Sequence, residues 1–314
     1  MDFKTKKFQC SHSLVFVNIR LNPTTFLCME KYITTTGRSW YTVDTMDILS
    51  SIALGFVQGI TEFLPVSSTG HLVIMHAVLG IEDVSSLAFD AILHLATALA
   101  VVVYFYDELF ILIQTVLRKL GKLPVNEKDL LIVKALAIGT IPAVILGVLL
   151  ESYMDSLFRN PVLVAAVLIV GSLFFMYAEY VYENNFHTGE IDISTGFKIG
   201  LFQTLALIPG MSRAGSTIAG GMILGLNRSD AARFSFLLSI PVIVGAGAKK
   251  LLELITSSVT VEWIPVLVGS GVAFAVGLCA IHFMITFIRK HSLWPFIWYR
   301  IALACFVLFI AFFG

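Results

Sequence analysis

Charge is what this sequence has least of. Asp, Glu, Lys and Arg together make up 13% of its 314 residues, where soluble domains carry about a quarter. The mean hydropathy of +0.88 confirms that water is not the principal solvent of this chain. Neither sign is in excess, with 21 basic and 21 acidic residues, so no bulk field points to nucleic acid or to another highly charged partner. Cysteine is also scarce. Cys10, Cys28, Cys279 and Cys305 show no metal-ligand or redox spacing, and the last two lie in apolar runs where a small soft side chain merely packs. The first 45 residues, Thr-rich and carrying Lys4, Lys6 and Lys7, lack any apolar run long enough for a signal core or a span. Residues 1–45 are therefore expected to be a disordered or non-native extension, with a membrane-type sequence starting abruptly at Met46.

What the chain does have is apolar length. Stretches at 87–107, 132–150, 161–182, 232–250, 263–288 and 293–313 can each cross a bilayer, which takes about 20 residues. Two more, 47–80 and 197–226, are interrupted midway by Pro, Gly, Ser and a charged residue. Irregular backbone at membrane depth is tolerated only inside protein or along a wet cavity, so these breaks predict re-entrant helix pairs around a site. The basic cluster Arg118, Lys119, Lys122 and Lys128, with Arg228, Arg289 and Lys290, marks the cytoplasmic side, and Lys249 and Lys250 run against it. Three spans then separate the two broken segments, and the second must enter from the opposite face. An internal repeat agrees: at a spacing of 145 residues Gly55 meets Gly200, Gln58 meets Gln203, Ser67 meets Ser212, Gly70 meets Gly215 and Gly80 meets Gly225. The predicted fold is all-α and polytopic, an inverted-topology repeat of six transmembrane helices plus two re-entrant pairs, in one domain of two halves at about 46–182 and 195–314.

The breaks hold the chemistry. In the first, Gln58 and Glu62 lie one turn apart on a helix face, Pro65 is expected to end that helix, and Ser67-Ser68-Thr69-Gly70-His71 follows. Hydroxyls and free N–H groups at a helix start favour an anion, although Ser67 or Ser68 also serves as an N-cap. His71 falls three residues past Ser68 and is expected within its reach. In the second break, Pro209-Gly210-Met211-Ser212-Arg213-Ala214-Gly215-Ser216-Thr217 sets a permanently charged, fork-shaped guanidinium among glycine and hydroxyls. Ionisable groups within a span are costly and mark function, so Glu62 and Arg213 are expected to meet around a phosphate. His76, His94, Asp90 and Glu179 are read as helix-pairing groups, and Arg233 and Arg300 as interfacial.

Gly55–Leu72 (GFVQGITEFLPVSSTGHL) and Pro209–Gly221 (PGMSRAGSTIAGG) closely resemble the two signature motifs of the undecaprenyl-diphosphate phosphatase family, the bacitracin-resistance membrane phosphatases. The similarity runs from Met46 to Gly314 and includes Phe234–Pro241. It implies hydrolysis of undecaprenyl diphosphate to the monophosphate, recycling the lipid carrier of cell-wall synthesis in the bacterial inner membrane, with the site facing outward. It also implies a divalent cation, Mg²⁺ or Ca²⁺. By the same resemblance the catalytic residues are Glu62, Ser68, His71 and Arg213, the phosphate is met by Ser212 and Thr217, and the cation by Glu62 and Gln58; Ser67 and Thr69, in the hydroxyl run at the helix start, are expected to join the phosphate site. Gln58 stands where many members have Glu, and Ala214 where a serine is common. Ser68 is the expected nucleophile, with His71 as its base and later as general acid; the alternative makes His71 the nucleophile or the activator of water. The expected partners are the polyprenyl diphosphate and the bilayer, with no nucleic acid and with room for a homodimer. The rival reading is a carrier or flippase of a polyprenyl phosphate, since inverted repeats around a midplane site are transporter architecture. A membrane scaffold is weaker still, because it leaves Glu62 and Arg213 unexplained.

Overall fold

The computed structural model describes residues 47–81, 85–157, 161–185, 189–256 and 262–313, and within them every regular element is helical. The expected extension at 1–45 lies outside the described residues. Eleven α-helices follow in order among those residues. They are α1 (Ile48–Thr61), α2 (Ser68–Leu79), α3 (Ser85–Tyr104), α4 (Tyr106–Leu120), α5 (Glu127–Leu157) and α6 (Pro161–Asn184), then α7 (Ile193–Thr204), α8 (Arg213–Ile223), α9 (Arg228–Thr256), α10 (Trp263–Ile288) and α11 (Trp294–Phe313). A short 3₁₀ turn, Leu205–Leu207, leads from α7 into the second break.

The helices α5, α6, α9, α10 and α11 are long and apolar enough to cross a membrane, and the pair α3 and α4 makes a sixth span when counted as one. That pair bends by 81°. Helix α4 was not foreseen from the sequence: its apolar residues face one way, and Arg118 and Lys119 close its last turn, which suits a helix lying along an interface rather than through it. The broken segments are α1 with α2 and α7 with α8, each helix 11 to 14 residues long and so too short to span. Pro65 does not end α1. The helix stops at Thr61, the cap N–H of Glu62 still bonds to the Gln58 carbonyl, and Pro65 lies within the turn beyond.

The repeat is visible in the backbone. Asp47 caps α1 by accepting from the Ser50 N–H at 2.6 Å, and Asp192, 145 residues on, caps α7 by accepting from the Thr195 N–H at 2.7 Å. These backbone donors hold both carboxyls below the usual aspartate range. Ser67 and Ser212 cap α2 and α8 from the same unusual conformation, φ 76° and 74°, each accepting from a glycine N–H three residues later. A β-substituted residue at positive φ costs about 1–3 kcal/mol and persists only where its surroundings impose it.

The two halves interlock. Helix α1 packs on α10 of the second half, and α7 packs on α5 of the first. Both contacts are glycine against small residue. A Cβ at Gly55 would fall 2.3 Å from the Gly269 carbonyl oxygen, and one at Gly200 would fall 2.1 Å from that of Gly139. Such backbone approach is how helices associate where no hydrophobic force separates protein from lipid. Gly55→Ala and Gly200→Ala are therefore expected to lower the melting temperature in detergent, by the equivalent of about 1–3 kcal/mol or more. Gly245→Ala, where nothing lies within 4 Å of the new methyl, should leave it unchanged or raise it. Equal melting temperatures across all three would refute the close-packing account.

Candidate active site

Loop 1, between α1 and α2, and loop 2, between the 3₁₀ turn and α8, meet at one ion pair. Arg213 Nη2 donates to Glu62 Oε1 at 2.9 Å. Glu62 is 6% exposed, so its charge is compensated by protein rather than by water. The neighbouring Phe63, fully buried, packs edge-on against Phe236 of α9 at 5.6 Å and holds loop 1 in place. In loop 2, Gly210 has φ +97°, and a Cβ there would lie 2.7 Å from the Val164 carbonyl oxygen, so only glycine fits.

The other oxygen of the carboxylate is crowded. Ser68 Oγ donates to Glu62 Oε2 at 2.7 Å, and Gln58 Nε2 does so at 3.0 Å. His94 Nδ1 of α3 lies 3.1 Å from the same oxygen and 2.8 Å from Gln58 Nε2. Gln58 Oε1 is buried without a hydrogen-bond partner. Arg213 Nη1 makes a long bond, 3.5 Å, to the Ser235 carbonyl of α9, so two of its five N–H donors are engaged among the described residues. Helix geometry leaves the N–H groups of Ser68 and Thr69, and of Arg213 and Ala214, at the open ends of α2 and α8. The junction thus combines a paired carboxylate, a hydroxyl whose proton points at that carboxylate, a fork-shaped cation and two helix starts. An anionic, phosphate-sized group suits that combination.

Gln58, Glu62, Ser68 and Arg213 are brought together as the sequence suggested. His71 is on the same turn of α2 but does not engage Ser68. Its Nδ1 is 2.7 Å from the Ser67 carbonyl and its Nε2 is 2.7 Å from the Tyr299 hydroxyl of α11, with the two rings stacked at 5.6 Å. A carbonyl only accepts, so Nδ1 carries the proton and Nε2 is the basic atom, directed at Tyr299. Ser67 and Thr69 pair with each other at 3.3 Å, and Ser212 caps α8. Thr217 lies deeper and fully buried, donating to the Arg213 carbonyl at 2.8 Å and paired with Ser235 Oγ.

Three residues matter more than their sequence reading allowed. His94, set aside as a helix-pairing group, stands in the centre. Tyr299 holds His71. Arg300 is not interfacial: it is fully buried, with Nε on Ser172 Oγ at 3.2 Å and Nη2 on the carbonyls of Leu168 at 3.2 Å and Gly210 at 3.1 Å. It therefore grips the backbone of loop 2 with no carboxylate within 4 Å among the described residues. Arg233 is half-exposed and pairs with Glu108 at 2.7 Å, Asp90 with His76 at 3.0 Å, and Glu179 with Arg228. The signal for His94 and Arg300 was present in the sequence, since an ionisable residue within an apolar run is functional by default.

The sequence is similar to known proteins over most of its length. A sequence model of the family described as bacitracin resistance protein BacA matches residues 51–306. A protein of Chloroherpeton thalassium named undecaprenyl-diphosphatase is 40% identical over 275 residues, covering 84% of this chain and 96% of that protein. Proteins of the same name from Trichlorobacter lovleyi, 40% identical over 259 residues with coverages of 82% and 94%, and Idiomarina loihiensis, 38% over 269 residues with 85% and 100%, are also similar. Matched by the family model over most of its length and by these relatives, the chain belongs to the bacitracin resistance protein BacA family.

Proposed function

We infer that this chain is an undecaprenyl-diphosphatase, hydrolysing undecaprenyl diphosphate in the bacterial inner membrane to the monophosphate and inorganic phosphate. The observation that carries the chemistry is the Glu62 carboxylate, bridged to Arg213 on one oxygen and to Ser68 on the other. The names of the relatives supply the substrate. A carrier would need the ion pair but has no use for a hydroxyl aimed at a carboxylate.

Ser68 Oγ attacks the terminal phosphorus, its proton passing to Glu62 Oε2, to which it is already hydrogen-bonded. This assigns to Glu62 the base role expected of His71, because the basic nitrogen of His71 is turned to Tyr299. The bond from the terminal phosphorus to the bridging oxygen breaks, and undecaprenyl phosphate leaves with the electron pair. Arg213 and the N–H groups at the starts of α2 and α8 take up charge on the phosphoryl oxygens. Water then cleaves the phosphoserine. The orphaned Gln58 Oε1 beside Glu62 fits the divalent cation implied by the family motif. Bound there, the cation would polarise phosphate oxygens as a Lewis acid.

Arg213→Lys should lower the rate of phosphate release by about a hundredfold or more, since one ammonium cannot replace the fork. Near-normal turnover at normal expression would remove Arg213 from the phosphate site. The nucleophile is identified by trapping the phospho-enzyme. A label stable in acid and lost in alkali supports Ser68, whereas an acid-labile label transfers the role to His71.

We further propose that the site opens to the outer face. The helix pair carrying loop 1 enters from the membrane side opposite the basic 118–128 segment, with the one span α3 between them, and Lys249 and Lys250, the exceptions to the charge rule, both lie near Glu253, at 3.8 and 3.1 Å. The prenyl chain stays in hydrocarbon while its headgroup enters. Thr69→Cys, in a background without the four native cysteines, should react with a membrane-impermeant thiol reagent added to intact cells. Labelling confined to inside-out vesicles would reverse the orientation. Ala214, the matching position in the second half, is 1% exposed and too buried to serve as a second reporter.

A further inference from the structure

With Glu62 ionised by its pairing to Arg213, Gln58, Glu62 and His94 present three atoms that no placement of the remaining protons reconciles. Gln58 Nε2 is 3.0 Å from Glu62 Oε2 and 2.8 Å from His94 Nδ1, and His94 Nδ1 is 3.1 Å from Glu62 Oε2. If Nδ1 is protonated it suits the carboxylate but opposes an N–H of Gln58. If it is bare it accepts from Gln58 but faces the carboxylate lone pair. Turning the amide, whose oxygen and nitrogen are interchangeable in shape, satisfies a protonated Nδ1 and sets two oxygens against each other instead. Meanwhile Gln58 Oε1 is buried with no partner.

We propose that these three side chains converge as lone-pair donors on one divalent cation, bound by Gln58 Oε1, by Glu62 Oε2, whose second lone pair keeps the Ser68 hydrogen bond, and, as the third ligand, by His94 Nδ1. The proposal deepens the cation part of the function inferred above and rests on it. With the amide turned so that Oε1 takes the place of Nε2, the three contacts, 2.8, 3.0 and 3.1 Å, lie close to the spacing of about 2.9–3.0 Å between adjacent ligand atoms around an octahedral cation with bonds of about 2.0–2.1 Å. Among the described residues no group of three His, Cys, Asp or Glu side chains is placed to hold a metal ion, and the amide makes up the number here. The ligands come from two elements, α1 with its cap and α3, so the cation also ties loop 1 to a full span.

Two consequences follow from the chemistry of the set. It holds one negative charge, already shared with Arg213 at 2.9 Å, so the bare cation binds weakly and is completed by the diphosphate oxygens of the substrate. An imidazole ligand also shifts preference away from Ca²⁺, which takes oxygen ligands, toward ions that accept nitrogen, Mn²⁺ among them.

The test uses the full chain in lipid nanodiscs with Mn²⁺ and methylene diphosphonate, read by electron spin echo modulation. The wild type should show the nitrogen modulation of a directly bound imidazole. His94→Gln should still bind Mn²⁺ in the presence of the diphosphonate, without that modulation and with affinity reduced by at least the roughly tenfold that loss of even an outer-shell partner costs. Gln58→Glu, which adds a charge, should tighten binding. His94→Asn replaces His94→Gln should the latter fail to accumulate. Bound Mn²⁺ without nitrogen modulation in the wild type, modulation persisting in the variant, or no Mn²⁺ binding with the diphosphonate present would each overturn the proposal. Phosphate release from undecaprenyl diphosphate by the same wild-type preparation separates this failure from that of the hydrolase reading, which falls only if no phosphate is released.

Discussion

The ion pair between Glu62 and Arg213 is the constraint around which this fold is arranged. An arginine cannot shed its charge, and a carboxylate away from water must be paired or protonated, so neither residue is affordable alone at this depth. Their meeting at 2.9 Å requires two helices to stop inside the membrane and two others to start there. Each start exposes unpaired N–H groups, which explains the two capping serines held at positive φ. The strain at Ser67 and Ser212 is thus the local consequence of placing charge where lipid would forbid it.

Short helices cannot hold themselves in a membrane. Helices α1, α2, α7 and α8 reach only partway, so their position comes from what they touch. Glycine faces let α1 and α7 press against backbone of the opposite half, and Phe63 and Arg300 anchor the two loops on spans α9 and α11. Because each half supplies the other's support, the separation of Glu62 from Arg213 is a property of the whole assembly and not of either repeat. The buried guanidinium of Arg300, bonded to neutral acceptors beneath loop 2, is the most expensive part of that support.

The repeat supplies the scaffold, and its divergence supplies the chemistry. Moving 145 residues along the chain takes Glu62 to Leu207, Ser68 to Arg213, His71 to Ser216 and His94 to Ser239, while the glycines and capping serines keep their identity. One half therefore carries the carboxylate, the candidate nucleophile and the imidazoles, and the other carries the permanent cation. A symmetric pair would have set like charges against each other at the junction.

Much of this was determined by the sequence alone. Apolar length against bilayer thickness dictates the spans, interruption of apolar runs marks the broken pairs, and the rarity of charge within them singles out Glu62 and Arg213. The register of the repeat was legible for the same reason, because turn and capping residues are chosen by backbone geometry. Helix α4 was not, since an amphipathic interfacial helix has no long apolar run to announce it. Nor could spacing along the chain show that His71 would turn to Tyr299, 228 residues away, or that His94, 32 residues past Glu62, would reach its carboxylate. Those outcomes depend on which helix faces meet across the two halves. Only tertiary packing decides that, because a side chain's partner in a membrane bundle is set by the neighbouring helix and not by the neighbouring residue.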